Sequence, residues 1–288
     1  MGATVNQMRV FVAVVDEGGF AFAADALGMS QSSASHTLAT LERHLGMMLV
    51  NRSPVCLTPD GARLLPHARA TVAAADAFES AAISRPQANG TIRFGITPTA
   101  GYRLAPALLK LWRRHAPHLR VRLLEGDDRE IADWLSTGAV DLAVLIDPEH
   151  AAGVVVARDE FRAVVRVDHP LAAAGPLRLV DLLEDPLLVS GAGCEPQITE
   201  LHRVASVPYR PTQRVRELTT LMSMVDSGLG VTIMPTLAEA MLPDSLTMVP
   251  LAHSLERTLV LAGPQGRPWH PIAEFLRDVT RTEFPQPS

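Results

Sequence analysis

Between Ser30 and His36 the chain sets Ser30, Gln31, Ser32, Ser33, Ser35 and His36 almost side by side. Short hydroxyl, amide and imidazole groups both donate and accept hydrogen bonds, so this set suits contacts to base edges and phosphate oxygens. A second cluster, SGAGCE over residues 190–195, places Ser190 and Cys194 in a glycine-rich turn ahead of a helix. Free amides at such a turn lower a thiol pKa, which favours oxidation or alkylation. Thr97 and Thr99 flank Pro98, and Asp128 opens a later helical stretch. Hydroxyls and unpaired amides at helix starts attract anionic or polar groups. Thr97, Asp128 and Ser190 could equally be N-caps. Other chemistries are poorly served. No G-x-S-x-G elbow, P-loop, dinucleotide glycine fingerprint or HExxH occurs, so an enzyme built on Cys194 or a serine with a histidine base is disfavoured. Cys56 and Cys194 are far apart and outside any CxxC pattern, which points to neither a disulfide framework nor a metal or other cofactor.

Composition sets the frame for these groups. With 288 residues, 47% hydrophobic and 20% charged, the chain is long enough for two domains with sizeable cores. Its apolar runs are short and broken by charge, as at Asp141 within residues 139–146, and no basic flank opens the chain. A soluble cytoplasmic protein without a membrane partner is expected. The net charge of -5 does not suggest a nucleic-acid partner, and of 26 basic residues only Lys110 is lysine. Planar, bidentate arginine contacts are therefore expected wherever anions are met.

The polar cluster at 30–36 needs a helix to present it. Met8, Phe11, Val12 and Val15 predict a helix over 5–16, and Phe20, Ala23, Ala24 and Leu27 predict a short one over 20–27. Ser30 then suits an N-cap. Ala34, Leu38, Leu41 and Leu45 share the buried face of the third helix, leaving Ser32, His36, Ala39 and Arg43 opposite. Three short helices with a tight turn between the last two match a helix-turn-helix, whose last helix enters the major groove by its N-terminal residues. Residues 48–57 read as two short strands, a wing that aims Arg52 at a backbone phosphate. Thr58, Pro59 and the alanine-rich 61–83 predict one long helix. Its stripe of Leu64, Leu65, Ala68, Val72, Ala75, Phe78 and Ala82 has no expected partner in the small head, and 84–89 reads as a hinge. From 90 onward strands at 91–97, 120–125 and 140–146 alternate with helices at 104–115 and 130–137, which predicts a parallel sheet. A second series places strands at 161–167, 187–190, 213–216 and 231–235, with helices at 195–205, 218–227 and 236–242. Two such α/β lobes leave a cleft between them.

The run GGFAFAADALGMSQSSASHTLATLERHLGMMLVNRSPVCLTPDG resembles the winged helix-turn-helix of LysR-type transcriptional regulators, through G-S-F-x-x-A-A-x-x-L, S-Q-x-x-x-S, L-E-x-x-L-G, L-x-x-R and L-T-x-x-G. IRFGIT, LAPALLKLWRRHAPHLRVRLLEG, LSTGAVDLAVL, VDHPLA and MVDSGLGVTIMP resemble the same family's effector-binding domain, which is similar to periplasmic binding proteins. The resemblance implies a DNA-binding domain over 1–58, a linker and dimerisation helix with hinge over 59–89, and an effector domain over 90–288. Lobe I is expected at about 90–160 and 264–288, lobe II at about 161–263. It further implies operator contacts from Ser30, Gln31, Ser32, Ser33, Ser35, His36, Arg43 and Arg52, and an effector pocket of Thr97, Thr99, Asp128, Ser190, Cys194 and Met224. Partners implied are a double-stranded DNA operator, an unidentified small-molecule effector, a second or further copy of the chain, and RNA polymerase. Gly19, Phe22 and Val50 depart from the family pattern, and Phe22 removes one expected phosphate contact. The head carries one more acid than base over 1–58, so paired heads must supply affinity that charge does not. An acidic Asp128, unless offset by Arg103 or Arg129, points to an amino-acid-like or mixed-charge effector as readily as to a carboxylate. A single-cysteine sensor at Cys194 and a cytoplasmic solute-binding module are the alternatives.

Overall fold

Three helices, a wing and a long helix make the N-terminal unit of the computed structural model, which describes residues 2–81, 90–149 and 152–285. These are α1 (Val5–Asp16), α2 (Phe20–Leu27), α3 (Gln31–Leu45), β1 (Val50–Arg52), β2 (Val55–Leu57) and α4 (Pro59–Ala81). Gly28 and Gly46 end α2 and α3 in the left-handed region, at φ 64° and 69°, where a side chain would be strained. Phe11, Ala24, Ala34, Leu38 and Leu41 close the core between the helices. Leu65, Ala68 and Val72 of α4 enter the same core, because α1 lies along that helix. The stripe expected to lack a partner is thus half used inside the head, and domain 1–58 is incomplete without the first turns of α4. Ion pairs Arg9–Asp76 and Arg69–Asp16 fasten α1 to α4 along its length. Further along, Phe78 is 78% exposed. The expected hinge at 84–89 lies outside the described residues.

The second unit is β3 (Gly90–Ile96), α5 (Pro98–His115), β4 (Leu119–Glu125), α6 (Asp128–Thr137), β5 (Leu142–Ile146), β6 (Gly153–Arg166), β7 (Leu187–Ser190), α7 (Glu195–Val204), β8 (Pro211–Val215), α8 (Leu218–Asp226), β9 (Thr232–Pro235), β10 (Leu246–Pro250), β11 (Glu256–Ala262) and α9 (Pro271–Glu283). One sheet runs in the order β10-β6-β11-β5-β3-β4, with β9 also on β6, while β7 pairs with β8. It is mixed rather than parallel: β4 and β5 run parallel to β3, but β11 is antiparallel to both β5 and β6. The strand β6 pairs with β11 through Glu160 and with β9 and β10 from Phe161, so it passes from one lobe into the other. The return is made before Glu256, since β11 lies in the lobe I sheet; the expected boundary at 263 moves back accordingly. Charges at Asp159, Glu160 and Arg162 interrupt the apolar run and conceal the first half of this long strand in the sequence. Residues 236–241 form a 3₁₀ rather than an α-helix.

Each lobe has its own core. Phe94 and Trp112 meet edge to face at 5.0 Å in lobe I, and the Trp112 indole N–H donates to Thr280 Oγ1 of α9 at 2.9 Å. In lobe II, Phe161, Val189, Ile198, Leu201 and Ile233 pack together with Cys194.

Candidate functional site

The N-terminus of α3 is built by Ser30. Its Oγ accepts from the Ser33 N–H at 3.2 Å and lies 2.9 Å from the Ser32 hydroxyl, which satisfies an amide of the first turn. Gln31, Ser32, Ser33 and His36 are exposed beyond it, and Arg43 is exposed at the far end of the same helix. Ser35 and Arg52 are engaged differently from expectation. The Arg52 guanidinium donates to Ser35 Oγ at 2.9 Å and to Glu42 Oε2 at 3.2 Å, so it joins the wing to α3 instead of standing free for phosphate. The neighbouring Phe22 of α2 is 67% exposed.

A second concentration of polar groups is buried where the lobes meet. Arg257 of β11, 1% exposed, donates from Nε and Nη2 to the two oxygens of Asp159 on β6, at 2.8 and 2.7 Å. Its Cζ lies 5.1 Å from the centre of the Phe161 ring, and its Nη1 is buried with no hydrogen-bond partner. Cys194, 4% exposed, caps α7 beside it. Burial pushes the Cys194 thiol up to about 11, although the Arg257 charge partly offsets this. The glycine-rich turn therefore does not make an acidic thiol, because lost hydration outweighs the amides. Asp128 enters from lobe I as the first residue of α6, whose cap is Asp127. Its carboxyl is raised from 3.8 to about 6, first by burial, with Arg257 pulling the other way.

Asp128 also meets lobe II directly. Its Oδ2 lies 3.5 Å from the Gln197 side-chain amide, and a side chain on Gly193 would come within 2.9 Å of Oδ1. Nearby, Arg216 Nη2 donates to both carboxylate oxygens of Glu130 at 3.2 Å, a further tie between the lobes. Of the six expected pocket residues the structure brings Asp128 and Cys194 together. Thr97 and Thr99 are buried at the start of α5, and the Thr97 hydroxyl has no partner. Ser190 Oγ accepts from the Ala192 N–H at 3.2 Å within its own turn. Met224 packs on Leu221 and Val225 in a lobe II apolar cluster separate from the one that holds Cys194. Arg103 and Arg129 are exposed, and the charge that offsets Asp128 is Arg257. Arg257 and Asp159 escaped the sequence reading; the signal was an arginine and an aspartate within apolar strands. A wider groove of about 930 Å³ opens between the lobes next to these residues, lined by Pro98, Tyr102 and Asp127 of lobe I and by Ala192, Arg216 and Leu218 of lobe II. Its walls are mainly apolar, whereas the buried cluster concentrates the charged groups of both lobes.

Among the described residues no cluster of three or more metal-ligating side chains occurs, and no helix is long and apolar enough to cross a membrane. The two units touch where α4 lies against α6 and α9, and through Arg122 of β4, whose Nη1 donates to Glu17 Oε1 at 2.5 Å and whose Nη2 reaches the Asp16 carbonyl at 3.4 Å.

Comparison with known proteins agrees with both halves. The profile of the bacterial regulatory helix-turn-helix protein, lysR family, matches residues 5–62, and that of the LysR substrate binding domain matches 85–285. The chain is 30% identical over 288 residues to the uncharacterized HTH-type transcriptional regulator YvbU of Bacillus subtilis, covering 98% of this chain and 99% of that one. It is 36% identical over 241 residues to a probable hydrogen peroxide-inducible genes activator of Mycobacterium avium, covering 81% and 78%. In structure it is similar to a full-length OxyR variant from Pseudomonas aeruginosa, with TM-score 0.74, 27% identity and coverage of 97% and 98%. Full-length CbnR in complex with its target DNA shares the fold at TM-score 0.65 and 21% identity, covering 97% of this chain and 99% of that one. With both domain profiles matched in order and both units present in the fold, the chain belongs to the LysR family of DNA-binding transcriptional regulators.

Proposed function

We propose that this regulator works as a homo-oligomer that holds paired recognition helices on a double-stranded operator and takes a small polar effector into the inter-lobe cluster, binding it without catalysis. The observation that carries the reading is the convergence of Arg257, Asp159, Asp128 and Cys194 from both lobes, in which the buried Arg257 Nη1 has no oxygen or nitrogen acceptor and only the Cys194 thiol beside the guanidinium. A buried donor left unmade is costly, so an acceptor that reaches it is favoured. Asp159 already neutralises Arg257, and the remaining charge belongs to Asp128. A plain carboxylate is thereby disfavoured against a molecule that carries both a donor and an acceptor, such as an amino-acid-like compound.

The helix α6 links this cluster to the head. Asp128 at its start faces the cleft, while a side chain on Gly138 at its end would lie 3.3 Å from Ala73 Cβ of α4. Closure of the lobes on an effector moves the whole helix, tilts α4, and so changes the spacing of paired heads or the bend of the DNA between them. Exposed Phe78, Tyr102 and Leu123 offer apolar surface to further copies of the chain. Pairing also answers the charge deficit of the head. RNA polymerase is the partner through which altered DNA geometry would reach transcription.

The test uses the full-length chain and a duplex it enriches from a randomised pool, in gel retardation with and without a metabolite panel. Ser33→Ala/His36→Ala is expected to lose retardation while remaining oligomeric. Asp128→Asn is expected to keep retardation and lose the effector response. A response untouched by Asp128→Asn removes the cluster from the reading. Hydrogen peroxide is a second reading for the effector, resting on relatives named as probable hydrogen peroxide-inducible genes activators and on an H2O2-bound OxyR mutant from Corynebacterium glutamicum among the similar structures at 28% identity and TM-score 0.58, and opposed by the burial that holds the Cys194 thiol up at about 11. In it the Cys194 sulfur takes one peroxide oxygen, water leaves, and a sulfenic acid remains. The other cysteine, Cys56, is exposed in the wing, so no disulfide with it is invoked.

A further inference from the structure

The wing arginine is held from three sides. Nη1 of Arg52 donates to Ser35 Oγ at 2.9 Å, Nη2 donates to Glu42 Oε2 at 3.2 Å, and Cζ lies 5.5 Å from the centre of the Phe20 ring. Glu42 is the fixed point of this arrangement. It is 5% exposed, and its Oε1 accepts the backbone N–H groups of Leu49 at 2.8 Å and Val50 at 3.2 Å. One carboxylate therefore binds α3 to the first wing strand and orients the guanidinium.

Two consequences follow for DNA. Turning Arg52 toward a phosphate would leave a buried carboxylate without the cation it pairs with, which is strongly unfavourable. A charge already neutralised by Glu42 also displaces few counterions from DNA. Meanwhile the Ser35 oxygen accepts from Arg52, which occupies one of its two lone pairs and turns the O–H away from the guanidinium, so that donation outward is favoured. Ser35 lies one turn along from Gln31 and Ser32 on the same helix, within the polar front of α3.

Building on the DNA-binding reading, we propose that Arg52 is a positioning residue for sequence recognition rather than a phosphate clamp: anchored by Glu42, it fixes Ser35 as a donor toward a base-edge acceptor such as guanine O6 or N7, or thymine O4. Arg52 acts through Ser35. Lysine cannot replace it, since a single ammonium does not span Ser35 and Glu42 with the fork geometry of a guanidinium.

The experiment measures two quantities for the full-length protein: the ratio of affinities for its enriched duplex and for a scrambled duplex of equal composition, and the slope of log affinity against log salt. The ratio is insensitive to the folded fraction, so a partly unfolded variant does not obscure it. Arg52→Lys and Arg52→Gln are each expected to lower the ratio by about ten-fold with the slope unchanged. Glu42→Gln is expected to steepen the slope by about 0.9, because the released guanidinium becomes available to phosphate. A slope that falls by about 0.9 in Arg52→Gln with the ratio intact overturns the proposal and restores the phosphate clamp. A wild type that enriches no duplex overturns the DNA-binding reading and this inference with it, a result distinct from any behaviour of the variants.

Discussion

Single residues in this chain change meaning with their burial. Asp128 shows it through its proton. Its carboxyl is raised from 3.8 to about 6 chiefly by burial, so the folded chain holds this proton more tightly than the unfolded one. Between those two values the folded state binds the extra proton, and the stability due to this group falls as pH rises through the window. Above it the full penalty, roughly 3 kcal/mol, is present. Asp128→Asn is therefore expected to raise the melting temperature at about pH 7.5 and to raise it roughly half as much at about pH 5. Equal gains at both values would show that burial does not set this carboxyl. From the sequence Asp128 is legible as a polar group at a helix start. Its raised pKa is not, because the burial that sets it, and the Arg257 that opposes it from a strand more than a hundred positions later, arise only on folding. The Cys194 thiol reverses its expected acidity for the same reason. Arg52 likewise looks like a phosphate ligand until Glu42 is seen within reach.

At the scale of elements, helices were read well wherever a cap and an apolar period coincide. The three head helices and the wing follow from Ser30, the glycines at 28 and 46 and the leucine spacing, all of which act within a few residues. Long-range pairing was not legible. The strands β10 and β11 and the first half of β6 are fixed by partners far along the chain, and Asp159 and Arg257 disguise two of them as polar segments. The helix α6 carries the next prediction. Gly138, at φ 80°, ends it against Ala73 of α4 and the Arg267 guanidinium. Asparagine tolerates this backbone but adds a side chain at the contact. Gly138→Asn is expected to keep effector binding, seen as an unchanged thermal shift, while weakening the effector's influence on retardation by about five-fold or more, a coupling of about 1 kcal/mol. An unaltered response would mean that α6 does not carry the signal to α4.

Across the whole molecule, the short helices of the head are tied to lobe I by the Glu17–Arg122 pair, apart from the contacts that α4 makes with α6 and α9. Both side chains are partly exposed, so the pair is worth about 0–1 kcal/mol and biases the head by up to about five-fold rather than locking it. Arg122→Glu is expected to speed amide exchange at the C-terminal end of α1 by up to about that factor, and Glu17→Arg in the same chain to reverse the change. Exchange that stays the same in the single variant would show that the contact does not hold the head. A weak tie suits a regulator, since an effector has only to supply a comparable free energy to shift the two arrangements.

The sequence by itself determined the reading helix, its cap, the wing and the alternation of strands and helices, because those depend on neighbours within one or two turns. It also carried the family pattern at both ends of the chain. Tertiary structure alone decided that Arg52 belongs to Glu42 and Ser35, that half of the long helix completes the head, and that Arg257, Asp159, Asp128 and Cys194 share one buried place. The physical reason is the same in each case: charge and hydration depend on what lies within a few ångströms, and folding brings together residues that the chain keeps far apart.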